Sequence, residues 1–166
     1  MLSTKLIRIS GIEPESIVDG EGIRYVIFTQ GCPHHCPGCH NPQTHSFDGG
    51  KLVDIDNLVN DIKSSKAYID GITLSGGEPF CQVDQCSIIA NKAHEFGLTV
   101  WCYTGYIFED LYGQRNQLLN YIDILVDGPF IQEERSLELK FRGSKNQRLI
   151  DVPSSLKAGV TVLKHI

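Results

Sequence analysis

Short apolar, β-branched runs alternate along the chain with segments of helical periodicity. Four such runs, each bounded by glycine, aspartate or proline, predict strands at 23–29, 69–74, 98–103 and 122–126. Strands that alternate with helices are typical of parallel strands joined by crossover helices.

Three segments between these runs predict helices. The first carries its apolar residues at i, i+3, i+4 and i+7, which form one face of a helix, and Asp54 is the expected N-cap. That apolar face consists of Ile55, Leu58, Val59 and Ile62. The second helix is expected over 83–96 and stops at Gly97, a residue type favoured directly after a helix. The third, over 108–120, is interrupted by Gly113.

The alternation predicts a single α/β domain over residues 1–166. Its sheet is either an open α/β sheet or an incomplete TIM-type barrel of parallel strands with crossover helices, and the periodicity does not separate the two. In both architectures ligands bind at the carboxyl ends of the strands. The segments that follow the predicted strands are GCPHHCPGCHNP at 31–42, SGGEPF, TGY and DGPF. We therefore expect one site at that edge of the sheet.

Composition narrows the functional classes. An apolar fraction of 41% and a charged fraction of 21% are typical of soluble globular proteins. The net charge of −5, without a run of like charges, argues against nucleic-acid binding. No apolar run approaches the roughly 20 residues that span a bilayer, and the N-terminal MLSTKLIRIS has no signal-peptide block. We expect a cytoplasmic protein with no nucleic-acid or membrane partner, whose six cysteines are metal ligands or free thiols.

Three of these cysteines, Cys32, Cys36 and Cys39, stand at the spacing C-x3-C-x2-C. A structural zinc site needs four ligands, commonly in two close pairs. The fourth ligand could come from a loop histidine or a distant cysteine: His34, His35, His40, His45, Cys81, Cys86 or Cys102. An iron–sulfur cluster on three local thiolates fits more simply and leaves one iron open to a small molecule. The spacing favours iron–sulfur and leaves zinc possible.

The remaining cysteines and two of the histidines have simpler interpretations. We interpret Cys81, Cys86 and Cys102 as free thiols, with a redox or second-metal role as the alternative. His45 and His94 are interpreted as surface residues or as residues with satisfied hydrogen bonds.

The motif C-x3-C-x2-C directly after a strand, followed by SGGEP after the next strand, resembles the radical S-adenosylmethionine superfamily. The resemblance implies a partial barrel in which Cys32, Cys36 and Cys39 hold a [4Fe–4S] cluster, one per chain. It also implies that the open iron binds S-adenosylmethionine, which one electron cleaves to methionine and a 5′-deoxyadenosyl radical.

Further motifs narrow the resemblance to one family. GEGIRYVIFTQGCPHHCPGCHNP, LSGGEPF, YTGY, LVDGPF and FRGSKNQRLID, within 19–151, together resemble the activating proteins of anaerobic ribonucleoside-triphosphate reductases. This implies an enzyme that generates a glycyl radical on the large subunit of the reductase, with reduced flavodoxin or a similar protein as electron donor. Another glycyl-radical activase, another radical S-adenosylmethionine enzyme, and a zinc-binding interaction module remain the alternatives.

The resemblance assigns cofactor contacts to six residues: Gly38, Cys39, His40, Gly76, Gly77 and Glu78. Gly38 and His40 flank the last cysteine, where the superfamily contacts the adenosyl moiety. Many relatives have an aromatic residue where this chain has Gly38, so we expect His40 to supply the ring contact. Gly76 and Gly77 match the glycines beside the methionyl end, where the absence of a Cβ lets the backbone approach a ligand. Glu78 is expected to pair with the cofactor's amino group.

The late elements carry a separate hypothesis. Five of their residues are expected to contact the cofactor's ribose or to dock the partner: Asp127, Gly128, Arg142, Asn146 and Gln147. The docking hypothesis rests mainly on Arg142 and Arg148, because arginine pairs with carboxylates through two parallel hydrogen bonds. Ordinary loop and turn chemistry is the alternative for each residue.

Overall fold

The computed structural model describes residues 5–165. Residues 1–4 and 166 lie outside the described residues, so the start of MLSTKLIRIS and both ends of the predicted domain 1–166 fall outside them as well. Within 5–165, no helix is long and apolar enough to cross a membrane.

One seven-stranded sheet organises these residues, with the order β3-β1-β2-β4-β5-β6-β7. Its strands are β1 (Leu6–Ser16), β2 (Arg24–Thr29), β3 (Lys51–Asp54), β4 (Gly71–Gly76), β5 (Thr99–Tyr103), β6 (Ile124–Asp127) and β7 (Arg148–Asp151). The α-helices are α1 (Ile55–Ser65), α2 (Val83–Glu95), α3 (Phe108–Gly113) and α4 (Val152–Ala158). Short 3-10 turns occupy Pro42–Thr44, Pro79–Cys81, Gln117–Tyr121 and Gln132–Glu134.

The four predicted strands are confirmed as β2, β4, β5 and β6, which lie side by side and pair in parallel. The all-parallel sheet was wrong, because β1, β3 and β7 extend it with antiparallel pairs. The result is a mixed α/β sheet with β3 and β7 as its ends. The incomplete barrel stays a prediction.

The predicted helices are confirmed with one division. Asp54 caps α1 by accepting the Asn57 N–H at 3.1 Å, and the predicted apolar face of α1 is buried. The stop at Gly97 follows α2, and Gly97 adopts a φ of +79°. The third helix is divided into α3 and the 3-10 turn at Gln117–Tyr121, because Arg115 between them has a positive φ of 53°.

The two faces of the sheet are covered differently. One face packs against α1 and α2 in the main core, with Ile72, Leu74 and Val100 among its buried side chains. The opposite face, here called the inner face, carries a smaller apolar cluster. That cluster consists of Trp101, Ile124, Val126 and Leu149, with Tyr103 and Phe141 packed against it.

Segment 17–22 lies across the inner face. A Cβ on Gly20 would come within 2.8 Å of the Trp101 ring, so glycine is needed for this close approach. Arg24, only 1% exposed, donates to the Glu21 carbonyl at 3.1 Å and holds the segment from beneath. Burial lowers the pKa of Arg24 to about 10, which still leaves the guanidinium charged at neutral pH.

Candidate metal and cofactor site

The cysteine loop follows the carboxyl end of β2 and closes on itself through backbone hydrogen bonds. The Gly31 N–H donates to the Thr44 carbonyl at 2.7 Å, and the Cys32 N–H donates to the His45 carbonyl at 3.1 Å. A further bond joins this loop to the next strand, because the Glu78 N–H donates to the Gly31 carbonyl at 2.9 Å. The loop is therefore fixed to the edge where β2 and β4 end.

All three predicted cluster ligands line one cavity of about 220 Å³. Its other walls come from the carboxyl ends of the parallel strands: Gly76 and Gly77 at the end of β4, Thr104 and Gly105 after β5, and Gly128 and Phe130 after β6. The cysteine loop, SGGEPF, TGY and DGPF thus meet at one edge of the sheet, as the order of strands and motifs predicts.

The donor set of this cavity, three thiols on one loop, is of the kind that holds an iron–sulfur cluster. Within residues 5–165, no group of three or more His, Cys, Asp or Glu side chains is arranged to hold one metal ion. A zinc ion needs its ligands within about 2.0–2.3 Å of a single point. In a cluster each thiolate binds a different iron, so the three thiols need not lie within bonding distance of a single point. The Asn41 N–H donates to Cys39 Sγ at 3.4 Å.

Burial affects the first ligand of the loop. Cys32 is 8% exposed, and this burial raises the pKa of its thiol. Because the thiolate is the form that binds metal, ligation must offset that cost. His45, which lines the same cavity, has a buried Nε2 that finds no hydrogen-bond partner among residues 5–165. The interpretation of His45 as a surface or satisfied residue was therefore wrong for this atom.

Gly76 and Gly77 are required by the backbone packing at this edge. Gly76 has a φ of +88°, and a Cβ there would lie 2.5 Å from the Thr29 nitrogen. A Cβ on Gly77 would lie 2.5 Å from the Gly31 oxygen and 3.0 Å from the Thr44 oxygen. Both glycines line the cavity, but their backbones also pack against β2 and the cysteine loop.

Glu78 lies behind the cavity wall, fully buried, with both carboxylate oxygens hydrogen-bonded. The Thr104 hydroxyl lies 2.9 Å from each oxygen, and the Gly105 N–H donates to Oε1 at 2.9 Å. The Phe80 N–H donates to Oε2 at 3.0 Å, and His34 Nε2 lies 2.6 Å from Oε1. Its predicted pairing with the cofactor's amino group stays a prediction.

Two further predicted cofactor residues, Gly38 and His40, flank Cys39 in the loop. His40 lines the cavity, and its ring centroid lies 5.0 Å from that of Phe130 in the DGPF segment. A Cβ on Gly38 would meet the Gln132 amide carbon at 2.9 Å, so this position lies close to the segment after DGPF. Their adenosyl contacts stay predictions.

Sequence reasoning did not single out Thr104 or Phe130, and it considered His34 only as a possible zinc ligand. These side chains reach the site through contacts between distant segments. The available signal was their place in or beside motifs that follow parallel strands, TGY and DGPF among them.

Arg148, one of the two arginines of the docking hypothesis, forms ion pairs with Asp127 and Glu109 of its own chain. Arg148 donates to both Asp127 oxygens, at 3.0 and 2.5 Å, and to both Glu109 oxygens, at 3.1 and 2.7 Å. The Phe108 N–H also donates to Asp127 at 2.8 Å. The buried Asp127 therefore joins β6, β7 and α3, and Arg148 has a structural role within the chain. Its docking role stays a prediction.

The other late residues fold the RGSKNQR segment against DGPF. Gln147 accepts the Gly143 N–H at 2.8 Å and donates to the Gly128 carbonyl at 3.1 Å. Asn146 donates to the Pro129 carbonyl at 2.8 Å. Gly128 and Gln147 line the cavity, whereas Arg142 and Asn146 do not.

The remaining cysteines lie apart from the cluster loop's ligands, and all six thiols are free. Cys86 and Cys102 are buried in the main core, where burial raises the pKa of each thiol. Cys81 is exposed, and the pKa of its thiol is raised to about 11, chiefly by desolvation. None of the three lines the cysteine cavity, and their interpretation as free thiols stays a prediction. His94 contacts the Tyr121 carbonyl at 3.0 Å, as expected of a satisfied histidine.

Comparisons with known proteins agree with this geometry. Residues 18–150 match the family model described as a 4Fe-4S single cluster domain. The anaerobic ribonucleoside-triphosphate reductase-activating protein of Haemophilus influenzae is 37% identical over 141 residues, which are 81% of this chain and 91% of that protein. The protein of the same name from Escherichia coli K12 is 35% identical over 81% of this chain and 92% of its own length. The one from Enterobacteria phage T4 is 39% identical over 83% of this chain and 90% of its own length.

A weaker likeness exists among solved structures. The crystal structure of QueE from Escherichia coli covers 60% of this chain and 53% of its own, at 15% identity and a TM-score of 0.44, which is too low to carry an argument. The sequence relatives and the family model are decisive: the chain belongs to the family of anaerobic ribonucleoside-triphosphate reductase-activating proteins, with a 4Fe-4S single cluster domain.

Proposed function

We propose that the chain activates an anaerobic ribonucleoside-triphosphate reductase by generating a glycyl radical on its large subunit. The observation that carries this proposal is that Cys32, Cys36 and Cys39 meet Gly76 and Gly77 in one cavity, at the carboxyl edge of parallel strands. Relatives of this name at 35–39% identity support the choice of partner. The chain then acts as an oxidoreductase of the radical S-adenosylmethionine superfamily, in one domain.

In this proposal Cys32, Cys36 and Cys39 hold a [4Fe–4S] cluster, and the cavity beside them admits S-adenosylmethionine. When bound, the cluster supplies one electron that cleaves the cofactor to methionine and a 5′-deoxyadenosyl radical. The chain's own contribution is to position the cofactor and exclude water. His40 and Gly38 flank Cys39, which allows them to contact the adenosyl moiety.

The carboxylate of Glu78 has two possible uses toward the cofactor. Four protein groups already occupy it, so direct pairing with the cofactor's amino group requires one of them to leave. The most accessible is His34, whose side chain is 17% exposed. Without such an exchange, Glu78 positions the loops that carry Gly105 and the cysteines.

The substrate is a glycine of the reductase, from whose α-carbon a hydrogen atom moves to the 5′-deoxyadenosyl group. One C–H bond breaks, one forms in 5′-deoxyadenosine, and the unpaired electron stays on the glycine. We propose that the open sheet acts as an incomplete barrel whose missing side admits a polypeptide segment. Reduced flavodoxin or a similar cytoplasmic donor supplies the electron, and neither nucleic acid nor membrane takes part.

Anaerobic reconstitution tests the proposal. The reduced protein is incubated with S-adenosylmethionine and the anaerobic reductase of the source organism, and electron paramagnetic resonance is expected to detect a glycyl radical. The Cys36→Ala variant is the matched control and should give none. Release of methionine and 5′-deoxyadenosine without a radical on the reductase would favour another glycyl-radical enzyme as partner. A colourless protein with one zinc would overturn the radical mechanism altogether.

A further inference from the structure

The carboxylate of Glu78 is separated from the cysteine cavity by its own hydrogen-bond partners. Glu78 is fully buried and does not line the cavity. Three of its partners do line it: His34, Thr104 and Gly105. Each of them contacts Oε1 of Glu78, at 2.6 to 2.9 Å, and a carboxylate oxygen offers about two lone pairs. A charged group that enters from the cavity must therefore take the place of one of these partners.

Two of the three partners are fixed in the turn after β5. The Gly105 N–H is a backbone donor, which cannot leave Glu78 unless the whole turn moves. The Thr104 hydroxyl lies 2.9 Å from both Glu78 oxygens, and its own oxygen accepts the Tyr106 N–H at 3.1 Å. Thr104 is also only 5% exposed. These contacts leave His34 as the partner that can be exchanged.

The ring of His34 fits a space that the surrounding turn leaves open for it. Its centroid lies 4.6 Å from that of Tyr106, and the two rings meet edge-on. A Cβ on Gly105 would come within 2.5 Å of the imidazole, so glycine makes room for the ring beside Glu78. The side chain of His34 is 17% exposed and lines the cavity. Release of Glu78 therefore requires a rotamer change of one side chain and no movement of the turns.

We propose that His34 holds the place of the cofactor's amino group on Glu78 and gives it up when S-adenosylmethionine binds. A ring N–H and an ammonium group can satisfy the same carboxylate oxygen, so the buried Glu78 keeps its partners before and after the exchange. Because His34 lies between Cys32 and Cys36 in the chain, it is a positioning residue that links the cysteine loop to the cofactor pocket. This inference rests on the proposed function.

The exchange predicts that His34 weakens cofactor binding. In the free protein the contact between His34 and Glu78 must break before the amino group reaches the carboxylate, and the cost of breaking it is subtracted from the affinity. A variant without this contact has an unfilled position on Glu78 and should bind the cofactor more tightly. A residue that only supported the pocket would have the opposite effect.

Two ligands distinguish this competition from a general change in the pocket. S-adenosylmethionine carries the amino group, whereas 5′-methylthioadenosine has the adenosyl unit without the amino acid part. Calorimetry measures the affinity for each ligand on the reconstituted protein with its cluster oxidised, so that no cleavage takes place. His34→Phe keeps a ring against Tyr106 and Gly105, and His34→Gln restores a nitrogen donor. His35→Phe is the control in the same loop, because His35 is exposed and its ring meets that of His45.

His34→Phe should bind S-adenosylmethionine about tenfold more tightly than the wild type does, the effect of removing one competing hydrogen bond to a charged group. Its affinity for 5′-methylthioadenosine should stay within about twofold. His34→Gln and His35→Phe should bind both ligands within about twofold of the wild type. Unchanged or weaker binding of S-adenosylmethionine to His34→Phe would overturn the inference. An equal gain for both ligands would overturn it too, because the ring would then only obstruct the cavity.

The same measurements separate this inference from the proposed function. A wild type that holds a full cluster and binds neither ligand would overturn the proposed function, and the role of His34 with it. A wild type that binds S-adenosylmethionine, beside a His34→Phe variant without any gain, would overturn the role of His34 alone. Iron content and circular dichroism equal to those of the wild type establish that each variant is folded. If the larger ring prevents folding, His34→Ala takes its place with the same expected gain.

Discussion

Glu78 connects three loops at the carboxyl edge of the sheet. It accepts hydrogen bonds from its own turn at Phe80 and from Gly105, and it contacts His34 in the cysteine loop. A buried carboxylate is tolerated only where such partners replace water. The position of the cysteine loop relative to Gly76 and Gly77 therefore depends on a residue that does not itself line the cavity.

Replacing any one of Cys32, Cys36 and Cys39 by alanine is expected to abolish the intact cluster and cofactor cleavage. The three thiols share one cavity, and the other cysteines do not line it, so no spare thiolate can take over. Iron content and the visible absorption spectrum after anaerobic reconstitution measure the loss. Cys81→Ala, at an exposed thiol, is the control and should keep the cluster. A full cluster in any of the three variants would show that the ligand assignment is wrong.

Gly77→Val is expected to disturb the cysteine loop as well as the cofactor pocket. From the sequence alone, a branched side chain here should hinder only the cofactor. The geometry adds a second effect, because the Cβ would meet the backbone oxygens of Gly31 and Thr44. We therefore expect reduced iron content together with weak S-adenosylmethionine binding in the variant. Gly113→Val is the control, since a Cβ there meets nothing within 4 Å. A full cluster with normal cofactor affinity would contradict the prediction.

At the residue scale, sequence reasoning works where the chemistry is local. The spacing of the cysteines and the GGE motif lie in short stretches, so their positions in one cavity could be predicted. The partners of Glu78 could not, because Thr104 lies 26 residues away in the chain and joins Glu78 only after β4 and β5 have paired.

At the scale of elements, the four parallel strands were predictable and the three antiparallel strands were not. β2, β4, β5 and β6 are buried on both faces and read as continuous apolar runs. β1 has register irregularities and several exposed residues, and β3 is only four residues long. β7 continues directly into α4 without a turn that would mark the boundary. β1 and β3 therefore lack a continuous apolar run because many of their residues are exposed to water.

The ion pairs of Arg148 join α3 to the sheet, and their stability contribution should depend on pH. The pKa of Glu109 is lowered to about 2 from a usual 4.5, chiefly by the hydrogen bond from Arg148. A carboxylate whose pKa is lower in the folded state than in the unfolded state stabilises the fold at pH values above its unfolded-state pKa. This stabilisation is lost as the pH falls toward its folded-state pKa. Because the Glu109 side chain is 53% exposed, we expect its ion pair to add only about 0.5–1 kcal/mol to the free energy of unfolding at neutral pH.

Urea unfolding of metal-free Glu109→Gln and wild-type protein measures this contribution. The difference in unfolding free energy should be constant down to about pH 5 and shrink between about pH 4.5 and pH 2. Glu133→Gln is the control, because Glu133 is exposed and no side-chain hydrogen bond of Glu133 occurs within residues 5–165. A difference that grows as the pH falls would contradict the assignment.

At the scale of the whole molecule, the site and the main core are separate. Cys32, Cys36 and Cys39 do not belong to the main core, which lies between the sheet and its helices. The inner face is instead covered by segments 17–22 and 139–143, which line a cavity of about 680 Å³. The alternation of strands and helices predicted the main core between the sheet and its helices. It could not predict how the inner face is covered, because segments 17–22 and 139–143 lack regular secondary structure and show no periodic pattern of apolar residues.

Removal of the cluster is therefore expected to loosen the cysteine loop and leave the sheet folded. Within residues 5–165, the loop's closing backbone bonds run from Gly31 to Thr44 and from Cys32 to His45. Anaerobic iron chelation should raise amide hydrogen exchange over 31–48 by about tenfold or more, while β2, β4 and β5 change by less than about twofold. The Cys36→Ala chain, which cannot complete the cluster, should show the same pattern without chelation. Loss of protection throughout β2, β4 and β5 in either sample would show that the cluster holds the fold together, and not only its loop.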